Sequence, residues 1–312
     1  MGTYTQGDGK YLRSGTLATL EQEPRGSKPL QGKVAVVAGA TRGAGRGIAV
    51  ELGAAGATVY CTGRSVRGQH SPSNRPETID ETAEMVTAEG GIGIPVQTDH
   101  SSEEQVRALF DRLAREQSGQ LDILINDIWG GEDLTEWGKP FWEMNTQQGL
   151  QMLEQAVHTH LLTSRWGVPL MVARGSGLVI EIGDGTGYHY RGSLFYSLVK
   201  VSVIHAAEAM AADLREQGLL GITALALTPG YLRSEWMLDH WGMTEAEWQE
   251  GIKTKGFRYE GTESPHYIGR AVVALASDPN IAAKAGQALS TWGLVAEYGF
   301  TDWDGRQPIF GS

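Results

Sequence analysis

Tyr196 and Lys200 stand four residues apart, a spacing that puts both side chains on one helix face. A free phenol titrates near ~10, too high for efficient proton exchange at neutral pH. A neighbouring ammonium favours the phenolate and lowers that value. The pair reads as a proton-transfer device, with Tyr196 as general acid/base and Lys200 assisting it. A second constellation follows the apolar run 34–37. Gly39, Gly43 and Gly45, with Thr41 and Arg42 between them, form a turn where a pyrophosphate approaches the backbone and meets free amides at a helix start. About 20 residues further on, an acid would bind a ribose 2′-hydroxyl, but Gly63 and Arg64 occupy that place. Two guanidinium groups, Arg42 and Arg64, suit a 2′-phosphate, so NADP(H) is expected rather than NAD(H).

These residues need a scaffold that sets strand ends beside helix starts. From Gly32 onward, short apolar runs alternate with longer helical patterns. Strands are expected at 34–37, 58–61, 92–96, 122–126, 178–182, 222–227 and 287–291. Helices are expected near 77–88, 102–117, 148–172, 196–217 and 265–277. Continuously apolar strands, each followed by a helix, indicate a parallel sheet covered on both faces. The expectation is one α/β doubly wound (Rossmann) domain over 31–312, with a seven-stranded, mostly parallel sheet. Residues 1–30 read as an arm-like N-terminal extension. Two stretches rich in Trp, 130–145 and 231–261, break the rhythm after strand ends and are expected to be substrate loops.

Composition narrows the classes of partner. The chain has 312 residues, 41% hydrophobic and 20% charged, enough apolar material for a sizeable core. A net charge of −11 argues against a nucleic-acid groove and against an anionic membrane surface. Cys61 is the only cysteine, so no internal disulfide forms. No run of about 18 apolar residues is present, and 1–30 has no apolar signal core. A cytoplasmic protein with a small-molecule substrate is expected, and no metal site is read.

With those residues placed, the chain resembles the short-chain dehydrogenase/reductase family from about Leu30 to Thr291. Four landmarks carry the resemblance in order: the Gly39/Gly43/Gly45 turn, Asp99 after the third strand, Tyr196-x-x-x-Lys200, and Pro229-Gly230 after the sixth strand. The resemblance implies that Asp99 contacts adenine. It also implies that Pro229, Gly230, Leu232 and Ser234 border the nicotinamide, and that Lys200 holds the nicotinamide ribose. It further implies a homodimer or homotetramer, formed through the long helices flanking strand five.

The pattern fails at two places. The family's Ser, a dozen residues before the Tyr, is Asp184 here, and an ionised carboxylate cannot donate to a carbonyl oxygen. Asp184 is then protonated through burial or a neighbouring carboxylate, or orients a water or substrate hydroxyl, or stabilises a cationic substrate such as an iminium. The plainer alternative is an Asx-type turn residue. Thr186 is a substitute hydroxyl two residues late. The family's Asn-Asn-Ala-Gly appears as Asn126-Asp127-Ile128-Trp129. Asn126 keeps its place among the cofactor-binding residues, while Asp127 either approaches Asp184 or braces the backbone. The helical Asn of the family's proton relay falls on Ala156, with His158 and His160 nearby.

Trp129, Trp137 and Trp142 follow strand four, and Trp236, Trp241 and Trp248 follow strand six. Trp129 and Trp236 are the expected substrate contacts, and the rings suggest a fairly large apolar or cyclic substrate. Three activities remain open. They are hydride transfer to or from a carbonyl or alcohol, reduction of C=N or activated C=C bonds with Asp184 serving a cation, and non-catalytic NADP(H) sensing.

Overall fold

The protein is described from a computed structural model over residues 28–69, 75–255 and 261–310. Of the expected extension at 1–30 only 28–30 fall within these residues, and 256–260 of the second loop fall outside.

Seven strands form one sheet in the order β3-β2-β1-β4-β5-β6-β9. They are β1 (Val34–Ala38), β2 (Thr58–Gly63), β3 (Ile92–Gln97), β4 (Ile123–Asn126), β5 (Gly177–Ile182), β6 (Ile222–Thr228) and β9 (Ala288–Ser290). Every pairing in this sheet is parallel. Alternate side chains of a strand point to opposite faces, and β1 buries both sets. Ala35 and Val37 join a core under α1 (Gly43–Ala54) and α9 (Pro265–Ser277), with Ile48, Leu52, Ile268 and Leu275. Val34 and Val36 join the opposite core with Phe110 and Leu113 of α3 (Glu103–Glu116), and with Met171 and Leu214. The sheet is therefore doubly wound, with one layer of helices on each face.

After β1 the chain crosses to β2, whereas β4 lies on the other side of β1. The strand order reverses there, and a crevice opens beyond the carboxyl ends of β1 and β4. The helix expected at 148–172 is broken into α4 (Thr146–Leu153), a π-helical turn (Glu154–His158) and α5 (Thr159–Arg174). Helix α6 (Leu194–Glu216) follows β5 and buries Val199, Val203, Ala207 and Leu214. It is long and apolar enough by composition to cross a membrane, yet here it packs on β5 and β6.

The second expected loop contains structure of its own. A two-residue strand, β7 (Tyr231–Leu232), pairs in parallel with β8 (Thr262–Glu263). Helices α7 (Glu235–Trp241) and α8 (Trp248–Lys255) lie between them, and α10 (Thr291–Tyr298) follows β9.

Candidate active site

The turn after β1 is shaped by two glycines. Gly39 has φ +94°, and a side chain there would collide with the carbonyl of Asp127. A side chain on Gly45 would strike the Gly39 carbonyl, so only glycine brings these backbones together. Helix α1 then begins without a side-chain cap from Arg42, which leaves first-turn amides to other acceptors. Two carboxylates take up part of that capacity. Glu235 Oε2 accepts from the Gly43 amide at 2.7 Å, and the Asp127 carboxylate accepts from the Gly45 amide. Gly39, Thr41, Arg42, Gly43 and Ala44 line the cleft, whereas Gly45 lies behind it. A tight glycine turn leading into a helix start that lacks a cap from its own N-cap residue fits the phosphates of a dinucleotide.

Arg42 and Arg64 line the far end of the cleft, and neither guanidinium has a salt bridge among the described residues. Arg46 behaves differently, being held by the Thr41 carbonyl, the Thr82 hydroxyl and Glu81. Asp99 also lines the cleft and accepts from the Ser101 amide and hydroxyl at 3.0 and 2.7 Å. Burial works to raise the Asp99 carboxyl. The two Ser101 bonds and the charges of Arg64 and His100 outweigh it and hold the group below its usual range.

Tyr196 and Lys200 emerge from one face of α6, as their spacing predicts. The Tyr196 hydroxyl donates to Asp184 Oδ2 at 2.8 Å, and Arg191 Nε lies 3.8 Å from the same oxygen. The Arg191 guanidinium is buried and donates to the carbonyls of Gly187 and His189. Lys200 Nζ sits 4.2 Å from the Trp129 ring centroid and 5.5 Å from that of Tyr196. Trp129 meets the Tyr196 ring edge-on at 5.6 Å, and Trp137 meets it tilted at 5.1 Å. Burial pushes the Lys200 ammonium below its ordinary value, and Arg191 adds to this, against the carboxylates of Asp184, Asp127 and Glu132.

Asp127 and Asp184, placed on neighbouring strand ends, both face Lys200. Asp127 is half-buried at the cleft wall and faces Lys200, His160, Glu132 and the Gly45 amide, and loss of water pushes its carboxyl up to about 7. Asn126 differs from expectation. Its side chain is fully buried behind the cleft, where Nδ2 donates to Ser164 Oγ at 2.9 Å and Glu181 Oε1 at 2.6 Å. His160 completes this layer, bonding Glu181 at 2.6 Å and the Ile128 carbonyl at 3.0 Å. It braces the strand-four loop from beneath the cleft. His158 is exposed, Ala156 is buried, and Thr186 is exposed and does not line the cleft.

The roof comes from the segment after β6. Pro229, Gly230, Leu232 and Ser234 line the cleft, followed by Trp236, Met237, His240 and Trp241 of α7. Ser234 caps α7 through the Met237 amide. Arg233, almost wholly buried, anchors this roof by bonding the Thr262 carbonyl and hydroxyl, Glu245 and Asp302, with its guanidinium stacked 4.0 Å from Trp248. Trp248 is thus core rather than substrate wall, and Trp142 is exposed outside the cleft. Sequence reasoning missed Arg191, Glu235 and the C-terminal contributors Trp292 and Phe310, whose rings meet tilted at 5.2 Å.

The cleft measures about 2030 Å³, beyond the ~300–1,000 Å³ typical of one small ligand and sufficient for a dinucleotide with a substrate. Fold and cleft together define a dinucleotide-binding α/β protein with a Tyr–Lys pair at the mouth of β5. Residues 33–241 match the short chain dehydrogenase family model. The human and mouse proteins named dehydrogenase/reductase SDR family member 1 are each 34% identical over 280 residues, covering 89% of this chain and 85% of theirs. A hydroxynaphthalene reductase of Aspergillus fumigatus is 26% identical, covering 80% of this chain and 87% of its own. A short chain dehydrogenase from Mycobacterium thermoresistibile superposes with TM-score 0.73 at 21% identity, over 91% of this chain and 93% of that one. The chain belongs to the short chain dehydrogenase family, whose members are oxidoreductases that use a nicotinamide dinucleotide, NAD or NADP.

Proposed function

We propose that this protein is an NADP(H)-dependent oxidoreductase of carbonyl and hydroxyl groups on a fairly large, apolar or cyclic substrate. The observation that carries the reading is the cluster of Tyr196, Asp184 and Lys200 at the cleft's substrate end, with the phenol hydrogen-bonded and an ammonium beside its ring. The preference for NADP(H) is supported by Arg42 and Arg64, which line the cleft and form no salt bridge among the described residues, Arg64 acting on Asp99 only through its charge. When bound, the dinucleotide supplies or accepts the hydride. Lys200 then holds the nicotinamide ribose and favours the phenolate form of Tyr196. Tyr196 gives its proton to the substrate oxygen in reduction and takes it back in oxidation.

Asp184 fits a hydroxyl donor, whether from water or from the substrate, since it already accepts from Tyr196. A cationic C=N substrate is supported less, because Arg191 and Lys200 already face this carboxylate. Trp129 and Trp236 supply the apolar walls. The relative named for hydroxynaphthalene reduction is compatible with a ring-bearing substrate.

The test is Tyr196→Phe against a panel of cyclic ketones with NADPH. Turnover is expected to fall at least about a hundredfold, with NADPH affinity kept. Unchanged turnover would rule out the acid role.

A further inference from the structure

Trp129 stands where the family pattern Asn-Asn-Ala-Gly ends in its smallest residue. Its indole does more than border the cleft. One face lies 4.2 Å from Lys200 Nζ, and the ring meets Tyr196 at 5.6 Å with planes at 89°. The indole is also fixed in place. A side chain on Gly131 would press into it at 2.5 Å, and the preceding carbonyl, Ile128, is held by the buried His160–Glu181 pair.

Lys200 needs such support. It is half-buried on α6 and lines the cleft, where loss of water disfavours the ammonium. The charged groups facing it are Asp127 after β4, Glu132 in the following loop, and Asp184 and Arg191 after β5. Among ring faces, an indole is the strongest partner for a cation, and desolvation strengthens the attraction.

We propose that Trp129 is a positioning residue for Lys200, holding the ammonium over the indole face so that it remains charged beside Tyr196. The proposal rests on the proton-transfer reading of Tyr196 and Lys200. Its consequence is directional. Without the indole, Lys200 loses its proton at lower pH, and Tyr196 loses the charge that tunes it.

The experiment is a pH profile of kcat/KM for ketone reduction by the full chain with NADPH, comparing wild type, Trp129→Phe, Trp129→Leu and Tyr196→Phe. The alkaline limb, where Tyr196 loses the proton it must give, is expected about one pH unit above that of wild type in Trp129→Leu, because a weakened ammonium no longer lowers the phenol. Trp129→Phe, which keeps an aromatic face, should hold the limb near wild type, and KM for NADPH at pH 6 should change little in either. Trp129→Met, flexible and ringless, replaces the leucine variant should that one fail to fold. A limb unmoved in the ringless variant overturns the proposal, as does an equal shift in Trp129→Phe, since the ring would then only fill space. If Tyr196→Phe retains turnover, the underlying reading falls as well. If it is inactive while the ringless limb stays put, the proposal alone falls.

Discussion

Asp184 and the serine that the family pattern places there differ in one respect that governs substrate choice: a hydroxyl both donates and accepts, whereas a carboxylate only accepts. The Tyr196 hydroxyl already donates to Asp184. A bare ketone oxygen brought to Tyr196 therefore meets an acceptor, and negative charge developing on that oxygen meets a carboxylate. A substrate with a hydroxyl next to the carbonyl avoids this by donating to Asp184. Asp184→Ser should accordingly raise kcat/KM about tenfold or more for ketones without that hydroxyl and lower it for 2-hydroxy ketones. A loss across both groups would show that Asp184 holds the site together rather than selecting the substrate. At this scale the placement of Tyr196 and Lys200 on one helix face was legible from their spacing and that of Gly39 from the turn after β1, whereas Asp99 came with the family resemblance; all four line the cleft. Arg191 was not legible. It reaches the cleft only because the loop from Gly183 folds back through Gly185 at φ +76°, bonding its own carbonyls.

At the scale of elements, the link between α7 and α1 ties the roof to the cofactor helix. Glu235, in the first turn of α7, accepts from the Gly43 amide at 2.7 Å and approaches Arg46 Nη1 at 3.4 Å. This holds Ser234 against Gly43 and, through α7, sets Trp236 and Trp241 over the cleft. Glu235→Ala should loosen the roof and raise the NADPH dissociation constant about tenfold, mainly through faster release in stopped-flow fluorescence. Glu235→Gln, which keeps an acceptor, should show a smaller effect. Tighter binding in both variants would mean instead that the carboxylate competes with the cofactor phosphates for the Gly43 amide. The seven main strands were legible from their apolar runs, with limits off by one or two residues. The roof was not, because two-residue strands and a seven-residue helix are too short to show a period. The long helix before β5 was expected unbroken, since a π turn keeps the helical periodicity nearly intact.

For the molecule as a whole, the roof, the last strand and the C-terminal segment converge on Glu263. Its carboxylate accepts from the Thr291 hydroxyl at 2.7 Å and from the Gly230 amide, and its Oε1 has no hydrogen-bond partner among the described residues. Burial pushes this carboxyl up to about 8, with Asp302 adding to the rise and Thr291, Gly230 and Arg233 opposing it. The unfolded chain releases the same proton near 4.5. The folded value lies above the unfolded one, so the stability contributed by the neutral form is complete below pH 4.5 and is lost as pH rises through 8. Glu263→Gln is neutral at every pH and keeps an acceptor for Thr291 and Gly230. Its melting temperature should lie close to wild type at pH 5 and several degrees above it at pH 9, since ~1 kcal/mol moves the midpoint of a domain this large by roughly 2–4 °C. Asp127, raised to about 7, also loses stability as pH rises. His100, lowered to about 3 by burial, loses it as pH falls below 6.5. Both act in wild type and variant alike and cancel in the difference. Parallel melting curves from pH 5 to 9 would show that Glu263 is ionised in the folded protein, with the Gly230 segment resting on a buried charge.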